Sequence, residues 1–236
     1  MRTLIVAVSG VISTLFFGSI AFITGFFNPY SKLINSCARY WAKTILLSAG
    51  TRLEITGLEN IDPSKNYVIM ANHQSQFDIL ALYSIIPLTA RFIAKKELYK
   101  VPVFGWILST TGMIKIDRSN REKAIQSLND ALATIKRKRV SLIVFPEGTR
   151  SLDGNIHNFK KGGFIIAIKG KIPIIPVSIS GSLNISKKNS FKISRGRIKV
   201  FIDQPLMIKN YTYNQRQELI NTTRQIIIKN FIKDYQ

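Results

Sequence analysis

Hydrophobic positions along this chain follow two different rhythms, and the change falls near residue 50. Residues 3–27 are mostly Leu, Ile, Val, Phe, Ala and Gly, and no charged residue lies between Arg2 and Lys32. As a helix this run would extend about 37 Å at about 1.5 Å per residue, against a bilayer hydrocarbon core of about 30 Å. Three expectations stay open: a cleaved signal peptide, a spanning helix, or a helix lying within one leaflet. Ser19-Ile20-Ala21 loosely resembles a cleavage site. The apolar run continues past it through Phe26-Phe27, which favours a retained membrane element. Residues 31–48 then place Leu33, Ile34, Cys37, Tyr40, Trp41, Ile45 and Leu46 at spacings of three and four, which predicts an amphipathic helix. Its Lys32, Arg39 and Lys43 suit lipid headgroups. Because only Arg2 precedes the apolar run, they place its C-terminal side at the cytoplasmic face of the inner (plasma) membrane.

Beyond Gly50 the apolar runs become short. Residues 67–70, 91–94, 113–116, 141–145, 174–179 and 198–202 each have the length of a strand and are rich in Val and Ile. Helical patterns lie between them. Ser119 and Glu122 read as a capping box, followed by Ala124, Ile125, Leu128, Leu132 and Ile135 at helical spacing and closed by Lys136, Arg137 and Lys138. A last helix is predicted over about 214–233. The pattern therefore predicts an α/β fold, a mixed sheet flanked by helices, with an N-terminal membrane-binding helical element. The boundaries are 1–50 for the N-terminal helices and 51–236 for the α/β body.

Composition adds one constraint. Lys and Arg number 34 against 13 Asp and Glu, a formal charge of +21. Such a balance points to a polyanionic partner, whether nucleic acid, an anionic membrane or a phosphorylated substrate. A general bias toward Lys, Ile and Asn accounts for part of it. Aromatic residues interleaved with basic ones on one sheet face, the mark of single-strand nucleic-acid binders, are not evident, so no nucleic-acid partner is expected. The single cysteine, Cys37, excludes an intrachain disulfide and fits a reducing compartment. On its apolar stripe it reads as a small hydrophobe rather than a nucleophile.

Candidate chemistry gathers after predicted strands, where loops of α/β sheets carry active sites. The strand at 67–70 leads into Asn72, His73 and Asp78. On one continuous helix, residues five apart point about 140° away from each other. His73 and Asp78 meet only if His73 lies in the turn before a helix and Asp78 in its first turn, with Ser75 as N-cap. Asp78 would then hold one imidazole nitrogen and leave the other to take a proton. The competing reading makes Ser75-x-x-Asp78 a capping motif and nothing more. The strand at 141–145 leads into Pro146-Glu147-Gly148-Thr149-Arg150-Ser151, with Lys160 and Lys161 after it. A glycine-containing loop with an arginine and hydroxyls suits a phosphate or carboxylate. Its alternative is a turn braced by a Glu147–Arg150 pair. Arg118 is a further basic point, directly after the strand at 113–116. His157, in a polar loop, reads as solvated. No metal constellation, Walker loop, dinucleotide fingerprint or Gly-x-Ser-x-Gly elbow occurs, so neither metal nor cofactor is expected.

Taken together, these blocks resemble the glycerolipid acyltransferases, specifically the 1-acylglycerol-3-phosphate acyltransferases. Asn72-His73 with Asp78 matches their first signature, Gly112 through Arg118 the second, Phe145 through Ser151 the third, and Ile172 through Val177 the fourth. Ala94 through Leu98 and Val101-Pro102 resemble the linker before the second signature. Lys115 departs from the family, which usually has an apolar residue there. The order and spacing agree over roughly residues 55–205. The resemblance implies acyl transfer from a thioester, either acyl-carrier protein or acyl-CoA, to the free hydroxyl of a lysophospholipid at the bilayer. It implies His73 as general base, Asp78 as its orienting partner, and Lys95 or a backbone N–H as oxyanion donor. Arg118, Glu147, Gly148, Thr149, Arg150 and Lys160 would form the acceptor-phosphate site, with Arg118, Arg150 and Lys160 gripping the phosphate and Glu147 and Gly148 shaping the pocket.

Overall fold

The computed structural model describes residues 1–117, 120–209 and 211–235. Two antiparallel helices open the chain, α1 (Arg2–Phe27) and α2 (Lys32–Ala49). Ser31 starts α2 by accepting the Leu33 N–H at 3.2 Å, and Gly50, at φ +66°, ends it in the left-handed conformation that glycine adopts without strain.

The body follows as β1 (Thr51–Thr56), β2 (Val68–Ala71), α3 (Phe77–Ile85), β3 (Ala90–Lys95), α4 (Phe104–Thr110) and β4 (Ile114–Ile116). It continues with α5 (Arg121–Lys138), β5 (Ser141–Val144), α6 (Gly162–Gly170), β6 (Ile174–Ser180), α7 (Ser182–Ile185), β7 (Gly196–Ile202) and α8 (Arg216–Asn230). Among the described residues the strands form one mixed sheet in the order β1-β7-β6-β2-β5-β3-β4. Only the β6–β7 pair is antiparallel.

Both faces of the sheet are covered, which explains why the central strands are apolar without alternation. Ile69, Ile143, Ile175 and Ile179 pack on one side with α2 and α3. Val68, Met70, Leu142 and Ile174 pack on the other with α5, α6 and α8.

Three elements depart from the sequence reading. β1 is an edge strand paired only with β7 and mostly exposed, so its Arg52 and Glu54 carry no apolar signal. α6 is buried on nearly every side, so no periodicity marks it. The cap of α5 is Asn120, whose Oδ1 accepts the Lys123 N–H at 2.8 Å; Ser119, expected as the cap, lies outside the described residues.

α1 packs along the body over its whole length of about 39 Å. Arg2 Nη1 donates to the Ala49 carbonyl at 2.8 Å, and Trp41 Nε1 donates to Thr14 Oγ1 at 2.9 Å. Near the other end, Gly25 lies so close to the Thr110 carbonyl that any side chain there would collide with it. The outward face of α1 leaves Leu4, Val8, Val11, Leu15, Phe16 and Phe26 exposed.

One buried cation ties these parts together. Arg91, 1% exposed on β3, donates to Thr111 O at 2.7 Å, Asn35 Oδ1 at 2.6 Å, Ala90 O at 2.8 Å and Pro29 O at 2.8 Å. Those acceptors belong to the α1–α2 turn, to α2, to the residue after α4 and to β3 itself. The Tyr30 ring centroid lies 5.9 Å from the guanidinium carbon, within cation–π range.

Candidate active site

β2, β5 and β3 lie side by side at the centre of the sheet and run parallel, so their C-terminal ends deliver residues to one place. β2 ends in Asn72, whose amide both donates to the Ile179 carbonyl and accepts the Ile179 N–H, each at 2.8 Å. This pins the chain to β6 immediately before His73.

The turn that follows brings His73 and Asp78 into contact and caps the next helix with the same carboxylate. His73 Nδ1 lies 2.9 Å from Asp78 Oδ2, and the same oxygen accepts the N–H groups of Gln74 at 2.7 Å and Ser75 at 2.8 Å. Ser75 Oγ in turn accepts the Phe77 N–H at 3.3 Å, at the start of α3. Asp78 therefore caps the helix and holds the histidine at once. An oxygen already accepting two backbone N–H bonds is an acceptor for the ring as well. Of the two neutral ring tautomers, the one with its proton on Nδ1 satisfies this contact. Asp78 is fully buried, whereas the His73 side chain retains 13% exposure.

Phe145, leaving β5, lies flat against the imidazole, with centroids 3.9 Å apart and planes 12° apart. Glu147 follows, and its carboxylate bonds to backbone donors instead of forming the expected pair with Arg150. Its Oε1 accepts the His73 N–H at 2.8 Å and its Oε2 the His157 N–H at 3.0 Å, so it braces two loops through backbone donors rather than through Arg150. Burial pushes the Glu147 carboxyl above its ordinary range, against the opposing pull of the two N–H bonds and of both histidines. For a raised carboxyl, the stabilising contribution is complete below the ordinary value and is lost as pH rises through the raised one. Lowering the pH from about 7 to about 5 is therefore expected to stabilise the protein relative to Glu147→Gln. Unfolding midpoints of the two at each pH check this, and a difference that does not move with pH would contradict it.

Gly148 turns the loop at φ +76°, a conformation that favours glycine, with the flexible Lys160 side chain lying over it. Lys160 and Gly148 line the same cavity. Thr149 and Arg150 lie at the rim. Lys188 holds them, donating to Thr149 Oγ1 at 2.9 Å and to the Arg150 carbonyl at 3.3 Å. Ser151 N–H donates to the His73 carbonyl at 2.8 Å and closes the two motif loops on each other. Lys95, at the end of β3, is exposed, with its Nζ 3.6 Å from Glu97 Oε2. Arg118 lies outside the described residues. His157 is exposed, as expected, and its ring lies 2.9 Å from Asp153.

A cavity of about 660 Å³ opens from this site. At one end its wall includes His73, Phe145, Gly148 and the exposed Lys95, Lys160 and Lys161. Tyr83, Phe92 and Met113 line its middle, and Phe17, Ala21, Cys37 and Ile107 line it where α1, α2 and α4 meet. No sequence signal marked Phe92, Ile107 or Lys188, because each acts through a partner distant in the chain. Among the described residues, no three His, Cys, Asp or Glu side chains come together as a metal site would require.

The Acyltransferase family model matches residues 52–180. The chain is 36% identical over 199 residues to a 1-acyl-sn-glycerol-3-phosphate acyltransferase of Saccharomyces cerevisiae, covering 80% of this chain and 65% of that protein. It is 33% identical over 181 residues to the enzyme of the same name from Limnanthes alba, covering 77% and 64%. The chain thus spans a little under two thirds of the length of these relatives. The crystal structure of the 1-acyl-sn-glycerophosphate acyltransferase PlsC from Thermotoga maritima superposes with a TM-score of 0.83 at 28% identity, over 97% of this chain and 92% of that one.

Proposed function

We propose, from the premise that the chain belongs to the Acyltransferase family, that it transfers a fatty acyl group from a thioester to the free hydroxyl of 1-acylglycerol 3-phosphate, giving phosphatidic acid. The observation that carries this reading is the His73–Asp78 pair set at the charged end of a long apolar cavity. At about 660 Å³ the cavity is within the range of ligand pockets, about 300–1,000 Å³. Its apolar wall suits an acyl chain, and the lysines at its mouth suit a phosphate.

In this mechanism His73 Nε2 takes the proton of the acceptor hydroxyl as that oxygen attacks the thioester carbonyl carbon. The Asp78 carboxylate steadies the imidazolium through Nδ1. The tetrahedral intermediate collapses by breaking the C–S bond, and the imidazolium returns its proton to the departing thiolate. In this reading Lys95 or a backbone N–H offsets the oxyanion, and Arg118, Arg150 and Lys160 bind the acceptor phosphate. Glu147, Gly148 and Thr149 shape that loop rather than grip the substrate. Cys37 lies in the cavity wall, away from the dyad, so transfer is direct, without an acyl-enzyme. Either acyl-carrier protein or acyl-CoA meets the chemical requirement for a donor.

In this reading α1 lies flat within one leaflet of the bilayer, at its cytoplasmic face. A spanning α1 would draw the charged body, which packs on it from Arg2 to Gly25, into hydrocarbon at large cost. Lying flat, it buries its outward Leu4, Val8, Val11 and Phe16 in lipid and brings the cavity to the acyl chains.

The direct test follows thiol release from a long-chain acyl thioester by the detergent-solubilised chain, with 1-acylglycerol 3-phosphate and with glycerol 3-phosphate as separate acceptors. Release that depends on the lysophospholipid supports the reading; release with glycerol 3-phosphate alone, or none with either, overturns it. The cavity gives a second expectation. Cys37→Phe fills space between α1 and α2, so kcat/KM for the longest thioesters should fall by about 10-fold or more while shorter ones are spared. A chain-length series checks this, and a uniform loss at all lengths would contradict it.

A further inference from the structure

The loop between α7 and β7 is held in a defined shape yet presents an aromatic side chain to water. Phe191 is 93% exposed. Its surroundings are ordered: Ser190 N–H donates to the Lys187 carbonyl at 3.2 Å, Lys192 N–H to Ser190 Oγ at 3.1 Å, and Ser194 N–H to the Ile185 carbonyl at 2.9 Å. Asn189 turns the tip at φ +64°, a conformation asparagine tolerates. A single exposed aromatic is ordinary on a protein surface. Three neighbouring facts make this one informative.

First, Lys187, Lys192 and Arg195 are exposed around it, and no Asp or Glu occurs anywhere in residues 154–202. Second, the loop joins the first turn of α1, where Ile193 N–H donates to Thr3 Oγ1 at 3.2 Å beside the exposed Leu4 and Ile5. Phe191 therefore extends an apolar surface instead of standing alone. Third, Lys188 runs back from the same loop to Thr149 and Arg150, so the loop is anchored to the rim of the site. Lysines flanking an exposed aromatic, continuous with an amphipathic helix, match the charge and polarity gradient of a headgroup layer. An acidic protein would satisfy the cations, but it would not account for continuity with the aliphatic face of α1.

We propose that residues 186–195 form a second lipid anchor, in which Phe191 enters the headgroup–acyl boundary of an anionic leaflet while Lys187, Lys192 and Arg195 hold its phosphates. The proposal rests on α1 lying in that leaflet. The test uses the full chain carrying Cys37→Ala and Phe191→Cys labelled with an environment-sensitive fluorophore, with a Lys229→Cys label on α8, across the sheet, as control. Flotation with phosphatidylglycerol-containing and phosphatidylcholine vesicles reports binding separately from the label. The expected result is a blue shift and quenching by brominated lipid at 191 but not at 229. Lys187→Gln with Lys192→Gln should lower the partition constant for anionic vesicles about 30-fold, and Phe191→Ser should lower it further, with thiol release in detergent unchanged. A protein that floats with vesicles while the 191 label stays in water overturns the anchor and leaves α1 in the leaflet. Failure to float overturns both. A label that responds to a soluble acyl-carrier protein and not to anionic vesicles overturns the lipid assignment in favour of a protein partner.

Discussion

His73→Ala is expected to lower kcat/KM for acyl transfer by about 10²–10⁴-fold, the usual contribution of a positioned general base. The fold should survive. Asp78 keeps the Gln74 and Ser75 N–H bonds that cap α3, and Glu147 keeps the backbone N–H of residue 73, because neither depends on the imidazole. Loss of rate with an unchanged unfolding midpoint would separate the proton-transfer role from the structural one. Asp78→Asn should also lose most of the rate for a different reason. An amide nitrogen presented to the ring favours the proton on Nε2, the atom that must be free to accept one. That variant should lose stability too, since an amide nitrogen at that position would also face the Gln74 and Ser75 N–H groups, donor against donor. Acyl transfer by His73→Ala within tenfold of wild type would remove the mechanism proposed here.

The second large effect is expected at a residue that touches no substrate. Arg91→Ala should destabilise the protein by about 3–5 kcal/mol, since it strands buried acceptors and opens a cavity. For a chain of this size that corresponds to roughly a 10 °C fall in the unfolding midpoint. The reason is geometric. The four acceptors lie on β3, on α2, after α4 and in the α1–α2 turn, so no neighbouring side chain replaces them together. Arg91→Lys should recover only part of the loss, because one ammonium cannot span acceptors that the planar guanidinium reaches in different directions. Because α1, α2 and α4 also wall the cavity, the alanine variant should discriminate less sharply among acyl chain lengths. A midpoint within about 2 °C of wild type would show that the helices are held by apolar packing alone.

Much of this was legible along the chain. The apolar runs identified six of the seven strands among the described residues. β2, β5 and β6, buried on both faces, have no exposed positions to interrupt them, and β7 shows the alternation of a half-buried strand. β1 escaped because an edge strand faces solvent. α6 escaped because a helix buried nearly all round has no polar stripe to give it a period. Within the site, His73 and Asp78 are five residues apart, and helical geometry alone required the turn-then-helix arrangement that the structure has. Spacing did not choose between a dyad and a cap, and the contacts do not set one against the other. One carboxylate oxygen accepts from the ring and from two backbone N–H groups together.

What the sequence determined by itself are properties written into local order: the period of each element, the apolar N-terminal helix, the motif loops after β2 and β5, and the excess of positive charge. What only the tertiary structure decided are the properties that depend on residues far apart in the chain. Glu147 serves His73 across 74 positions, Arg91 joins α2 across 56, and Lys188 reaches Thr149 across 39. The cavity is shared among α1, α2, β3 and α4, and no one of these segments carries its outline. A local pattern records the backbone conformation a segment prefers and the face it buries. Which partner meets that face is settled when the whole chain closes, because shape and hydrogen-bond geometry at a contact belong to both sides of it.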